Sequence, residues 1–249
     1  MKVIIHPEYR FLTDFIYQLP NTFYTTGNLL YKGRNTVKRY EVDGVSVIAK
    51  KYKHPNLVQR IAYTFFKKSK TRRAYEYAAR LRELDIESPH EVAYIEIKRH
   101  GLFTIGFFLS LNCDYEPTSN ALSTDNFDHE LANELAMFLV ELHTKGVLHG
   151  DLNLTNILYH IDENGKYHFV LIDTNRSVFK QPTHEECLDN LKRITHKREL
   201  LVCIISLYAR QRGWDPDKTV QAVIRQLERF EGHRRVKRIF QDLLGIRHN

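Results

Sequence analysis

One stretch of the chain holds residues whose types and spacing could do chemistry. It reads His149-Gly150-Asp151-Leu152-Asn153-Leu154-Thr155-Asn156-Ile157-Leu158, and Leu171-Ile172-Asp173 follows. Asp151 sits on a loop leaving a long helix, where a carboxylate can orient and deprotonate a hydroxyl. Asn156 comes five residues later, just before a short strand. Asp173 ends a second strand after two apolar residues. Asn156 and Asp173 offer the hard oxygen ligands that Mg2+ prefers. A single Asp or Asn in a turn is commonly only a cap or an Asx turn, and Asp162 and Asn164 read that way. The His-x-Asp-x-x-x-x-Asn spacing with an Ile-Asp strand end behind it asks for more than a turn requires.

The upstream half adds a cation. Val45–Tyr52 is a strand rich in Val and Ile that carries Lys50 and Lys51. Burying an ammonium is costly unless it is paired, so a lysine here calls for anions. Nucleotide phosphates and a helix glutamate would supply them. Lys50 directly follows the apolar run and is the chosen candidate. Lys51, two places after Ala49, competes with it. Glu76 is the expected helix partner, although Arg72 and Arg80 lie four residues to either side and could hold it in surface pairs.

These residues need elements to position them. Leu29–Lys32, Gly33-Arg34-Asn35 and Val37–Val42 read as a hairpin, and Asp43-Gly44 is a turn before the lysine strand. Ala74, Tyr77, Ala78, Leu81 and Leu84 give one apolar helical stripe between Ser69 and Leu84. Glu91–Ile97 and Leu102–Leu111 read as two more strands. Beyond about residue 115 the period changes. Leu131 to Leu142 mark a long helix with Gly146 as its cap, two short strands flank Asp162-Glu163-Asn164-Gly165, and the rest is helical with breaks near Gly213–Pro216 and Gly232. The pattern predicts an α+β fold with two lobes. The β-rich N-lobe (1–111) contains one helix, and the mainly helical C-lobe is 112–249. The site is expected in a cleft between them.

Composition sets the class. With 43% hydrophobic and 27% charged residues among 249, the chain is globular and not disordered. Cys113, Cys187 and Cys203 are far apart and odd in number, which fits a reducing compartment and argues against Cys-ligated zinc. The thirteen His include no metal-spaced cluster. No run reaches the roughly 18 apolar residues of a spanning helix, and Val3–Ile5 is too short for a signal-peptide core. A cytoplasmic protein is expected. Its net charge of +7 suggests an anionic partner. Arg60, Lys67, Lys68, Lys70, Arg72 and Arg73 form a basic run that reads as a solvated face or as a contact for anionic lipid or phosphorylated sugar. Arg225, Arg229, Arg234, Arg235, Lys237 and Arg238 form a second. No nucleic-acid motif or stacking platform is present, so no nucleic acid is expected.

Taken together, these residues resemble the protein-kinase-like superfamily, and more closely the bacterial lipopolysaccharide core (Kdo/heptose) kinases. The resemblance runs from about Tyr31 to Leu191. Val147–Asn153 with Asn156, and Ile172-Asp173-Thr174-Asn175-Arg176, carry most of it. It implies a bilobal kinase fold and an enzyme that uses ATP and Mg2+ to phosphorylate a sugar hydroxyl of the lipopolysaccharide inner core. Such an enzyme works on the cytoplasmic side of the inner membrane, with peripheral membrane contact. Asp151 would be the base, Asn156 and Asp173 the metal ligands, and Lys50 the phosphate lysine, with Glu76 and Gly33 of the phosphate loop at the nucleotide. Departures are plain. The phosphate loop has one glycine, Gly33. His-Gly-Asp stands where protein kinases have His-Arg-Asp, and no Phe-Gly or Ala-Pro-Glu follows Asp173. These shift weight toward an anionic glycolipid or sugar acceptor. A protein kinase acting on Tyr or Ser, or a nucleotide-binding pseudokinase, are the alternatives.

Overall fold

Strands rich in Val, Ile and Phe need neighbouring strands and apolar cover on a face. The first half of the chain supplies both. In the computed structural model, which describes residues 1–243 with the side chains of 234 and 237–243 excepted, two compact units form. One comprises Met1–Asp114 with Asp173–Asn175; the other comprises Tyr115–Ile172 with the residues from Arg176 on.

The first unit contains β1 (Lys2–Ile5), α1 (Thr13–Thr22), β2 (Asn28–Lys32), β3 (Thr36–Val42), β4 (Val45–Lys51), α2 (Leu57–Phe65), α3 (Lys70–Glu83), β5 (Glu91–Arg99) and β6 (Leu102–Leu111). Its six strands form one antiparallel sheet in the order β1-β5-β6-β4-β3-β2. Strand alternation sorts the side chains. Val47 and Ala49 of β4, with Phe107 and Leu109 of β6, join a core closed by Leu12, Ile16, Leu19 and Phe23 from the segment around α1. Lys50 falls on the other face of β4. The N-terminus of α3 lies close to β6 because Gly106 has no side chain: a Cβ there would sit 2.5 Å from Thr71 Cγ2. Ser69 caps α3 through the Arg72 amide. Arg82 grips the buried Glu91 of β5 with two bonds, 2.5 and 2.9 Å long.

The expectation of a single helix in this part is corrected to three. Pro20 lies inside α1, and proline ordinarily marks a helix end. The second helix, α2, buries no residue, so it has no inward apolar stripe to read.

The second unit contains β7 (Glu116–Pro117), α4 (Thr118–Leu122), α5 (His129–Thr144), β8 (Val147–Leu148), β9 (Ile157–Ile161), β10 (Tyr167–Leu171), β11 (Val178–Phe179), α6 (His184–Leu191), α7 (Arg198–Gln211) and α8 (Pro216–Leu243). Small antiparallel sheets β10-β9-β7 and β11-β8 accompany packed helices. Leu131, Leu135, Leu139 and Leu142 of α5 are fully buried, as are Leu200, Ile204 and Tyr208 of α7. Gly146 follows α5 with φ +78°, the left-handed turn that favours glycine. The break expected at Gly232 does not occur. The helix runs through this exposed position, where glycine costs only about 1 kcal/mol relative to alanine. Of the second basic run, Arg234, Lys237 and Arg238 have side chains outside the described residues.

Candidate active site

The loop after β8 is fixed largely by its own backbone. Strand β8 pairs with β11, Leu148 opposite Val178, which brings residues 149–151 beside Arg176 and Ser177. The buried His149 ring meets the Ile172 carbonyl through Nε2 at 2.9 Å and so anchors the loop. Gly150 has φ +73°, and a Cβ on it would lie 2.4 Å from the Arg176 carbonyl oxygen. Only glycine fits both conditions. Leu152 and Leu154 are buried beneath the loop.

The Asp151 carbonyl accepts two side-chain amides, from Asn153 Nδ2 and Asn156 Nδ2, each at 3.0 Å. With the Asn156 NH2 committed, its carbonyl oxygen Oδ1 is left for a ligand. The Ile172 amide donates to the Asn156 backbone carbonyl at 3.0 Å, one residue before Asp173.

The Asp151 carboxylate meets two guanidiniums. Arg193 Nη1 lies 2.9 Å from Oδ1, and Arg176 Nη1 lies 3.4 Å from Oδ2. Sequence reasoning missed both contacts. Arg176 was in the motif without a task. Arg193 carries no local signal. It arrives because the Leu154 amide bonds the Ile194 carbonyl at 3.1 Å, pinning the turn after α6 to the loop.

Asp173 adopts φ +57°, a left-handed conformation uncommon outside glycine and a frequent mark of functional strain. Its Oδ1 receives Lys50 Nζ at 2.8 Å and Asn175 Nδ2 at 2.5 Å, both on the same oxygen. Lys50 also lies 5.5 Å from the Tyr52 ring centre. Burial of Tyr52, with the Asp173 charge added, pushes its hydroxyl well above the usual range. The competing Lys51 shares the face of Val47 and Ala49 and donates to Tyr24 Oη.

The expected Lys50–Glu76 pair does not form. Glu76 accepts from Arg72 Nε, one turn earlier on α3, at 2.8 Å and meets Lys68 Nζ at 2.7 Å. Partial burial pushes its carboxyl up, but the hydrogen bonds from Lys68 and Arg72 outweigh that and hold it below the usual range. Local cations on the same helix and in the turn before it take the glutamate, while Asp173 takes the lysine. Gly33 lies in the turn between β2 and β3, its amide bonded to the Asn35 carbonyl at 3.0 Å. The Tyr31 hydroxyl crosses over it.

Asn156 Oδ1 and Asp173 Oδ2 are each oxygen atoms of the hard kind that Mg2+ prefers. The fold also gathers His6, His90 and Glu91 at metal-ligand spacing, which the linear pattern of histidines did not suggest. Both Glu91 oxygens there are already held by Arg82.

The model of the lipopolysaccharide kinase (Kdo/WaaP) family matches residues 31–230. The chain belongs to this family. It is therefore a kinase, of a family named for action on lipopolysaccharide. Among solved structures it is similar to WaaP in complex with acyl carrier protein, at 15% identity and a TM-score of 0.59. The alignment covers 92% of this chain and 97% of that one. This supports the kinase-like fold, an antiparallel-sheet part followed by a helical part. A looser likeness is to a Rio2 kinase–ADP/Mg2+-phosphoaspartate complex from Chaetomium thermophilum. That match has 15% identity and a TM-score of 0.49, and covers 98% and 76% of the two chains. A search of curated protein sequences gives no match. No helix among the described residues is long and apolar enough to cross a membrane.

Proposed function

We propose that this kinase transfers the γ-phosphoryl group of ATP, with Mg2+, to a sugar hydroxyl of the lipopolysaccharide inner core, at the cytoplasmic face of the inner membrane. The observation that carries the reading is the Asp151 carbonyl bonded by both Asn153 and Asn156. It fixes a carboxylate and a spare amide oxygen on one short loop. Asp151 orients the acceptor hydroxyl and takes its proton as the new O–P bond forms and the bond to the leaving ADP breaks. Asn156 Oδ1 and Asp173 Oδ2 are the atoms that would hold the metal, which supplies charge neutralisation on the phosphates. Lys50, held on the Asp173 carboxylate, is the cation for the phosphates. Gly33 in the β2–β3 turn is the candidate for backbone approach to the nucleotide.

The acceptor is read as anionic. Arg176 and Arg193 bring two cations to the carboxylate that would receive the acceptor hydroxyl, a fork suited to a sugar carboxylate or phosphate. A protein acceptor is less well served. The segment after Asp173 is short and already used, with β11 paired to β8 and α6 opening at Thr183 in a capping box. Labelled ATP incubated with envelope glycolipid, and separately with envelope protein, tests the reading. Label should enter the glycolipid, and Asp151→Ala should lose at least about 10²-fold in kcat with ATP affinity retained. Label entering protein alone would replace this reading with a protein kinase.

A further inference from the structure

The helix α2 is attached the wrong way round for a core helix. Its polar side is fastened to β6. Arg60 Nε donates to the Phe103 carbonyl at 3.0 Å, the Phe103 amide donates to Thr64 Oγ1 at 2.9 Å, and the Tyr63 ring stacks edge-on with Phe103. Its apolar side faces outward. Leu57, Val58, Ile61 and Phe65 share an arc of about 100° at helical spacing, and all are exposed, Val58 by 75% and Phe65 by 67%. Phe66 continues the patch at 80%. Scattered exposed apolar residues are ordinary, but a contiguous stripe marks an interaction surface.

The charge around the stripe says what covers it. No Asp or Glu occurs between Asp43 and Glu76. Lys67 and Lys68 follow Phe66 directly. A pocket whose lining includes Phe65, Phe66, Lys67, Lys98 and Lys2, with Glu96 as its one carboxylate, opens beside the helix. Lys2, Lys67 and Lys98 have no acidic partner among the described residues. Glu96, which also lines the pocket, is held by Ser69 Oγ at 2.5 Å, and the stripe itself from Leu57 to Lys67 contains no acidic residue. Exposed apolar side chains with lysines at their edge fit an anionic lipid surface: rings enter the headgroup boundary while lysines meet phosphates.

We infer that α2 with Phe66 and Lys67 docks this protein on an anionic phospholipid bilayer, the rings of Phe65 and Phe66 inserted and Lys67 at the phosphates. This rests on the membrane location proposed above and gives it a surface. The test is sedimentation of the full chain with vesicles of pure phosphatidylcholine and with vesicles containing phosphatidylglycerol, at low and high salt. Binding should require phosphatidylglycerol and weaken at high salt. The double variant Phe65→Ser/Phe66→Ser should lower the partition coefficient at least about tenfold, and Lys67→Glu should weaken binding only at low salt. Turnover of a delipidated, soluble core acceptor should be unchanged in all of them, which separates this inference from the phosphoryl-transfer reading. Equal binding by the Phe variant overturns it. So does a wild-type protein that ignores vesicles and elutes as a dimer that the Phe variant dissolves, since a second copy would then cover the stripe.

Discussion

The loop around Asp151 and the strand end around Lys50 hold charged groups by different means. In the loop, two amides converge on one carbonyl, a buried imidazole pins a backbone oxygen, and Gly150 abuts the Arg176 carbonyl. None of these partners can be exchanged without moving the backbone. Beside Lys50 the fixtures are ion pairs. Glu76 is shared by Lys68, whose side chain is 52% exposed, and by Arg72 at 37%. Pairs of that exposure contribute about 0–1 kcal/mol each, so trading one partner for another costs little. The backbone that carries the Asp151 carboxylate is rigid, while the pairs that hold the Glu76 carboxylate are exchangeable.

The largest expected effect is on the rigid side. Gly150→Ala introduces a Cβ 2.4 Å from the Arg176 oxygen at φ +73°. The left-handed backbone costs about 1–2 kcal/mol, and the overlap must push the Arg176 segment away from Asp151. A displacement of about 1 Å at reacting groups costs on the order of 10²-fold. Steady-state kinetics should show that loss in kcat, while the melting temperature falls by only a few degrees. An alanine variant with normal kcat would mean the loop yields as easily as an ion pair, and the contrast would collapse.

The two regions also differ in how far the sequence exposed them. The loop was legible because its determinants are close in sequence: Asp151, Asn153 and Asn156 lie within six residues, and Asp173 follows one hairpin later. The lysine strand was legible in period, and alternation separates Lys50 from Lys51 once the Val47–Ala49 face is known to be the core. What could not be read were partners chosen among several cations. Glu76 had Arg72 four residues away and took it. Arg193 reached Asp151 only through a backbone bond between Leu154 and Ile194. The inward-polar α2 defied the usual pattern of apolar residues facing in, and α1 was hidden by Pro20 inside it.

A second test probes the interior that carries the loop. His143, near the end of α5, is buried between Tyr208 Oη at 2.8 Å and Asn190 Oδ1 at 3.1 Å. Burial first, and the Arg212 charge in addition, bring its pKa down to about 4, although the Asn190 contact opposes this. The unfolded chain binds a proton near pH 6.5, and the folded protein resists until about pH 4. In that window the unfolded state holds more protons, so stability falls as pH drops. Between pH 7 and pH 5 the loss should be about 2 kcal/mol. Urea unfolding at the two pH values measures it, and His143→Asn should flatten the difference. An unchanged slope in the variant would show that other groups carry the acid sensitivity.

The smallest effect belongs to Glu76. Glu76→Gln removes charge from two half-exposed pairs, so stability should change by less than about 1 kcal/mol. Its effect on turnover then reveals whether the pairing is exchanged during the reaction. If Glu76 stays with Arg72 and Lys68, as in the structure, kcat/KM should shift only a few-fold. Lys50→Met, which strips the cation from Asp173, should lose far more. If Glu76→Gln proves as damaging as Lys50→Met, and the double variant is no worse than either alone, the two side chains act as a unit. Glu76 would then leave its helix partners for Lys50 when nucleotide binds, and the exchangeable side of the molecule would be the one that moves during turnover.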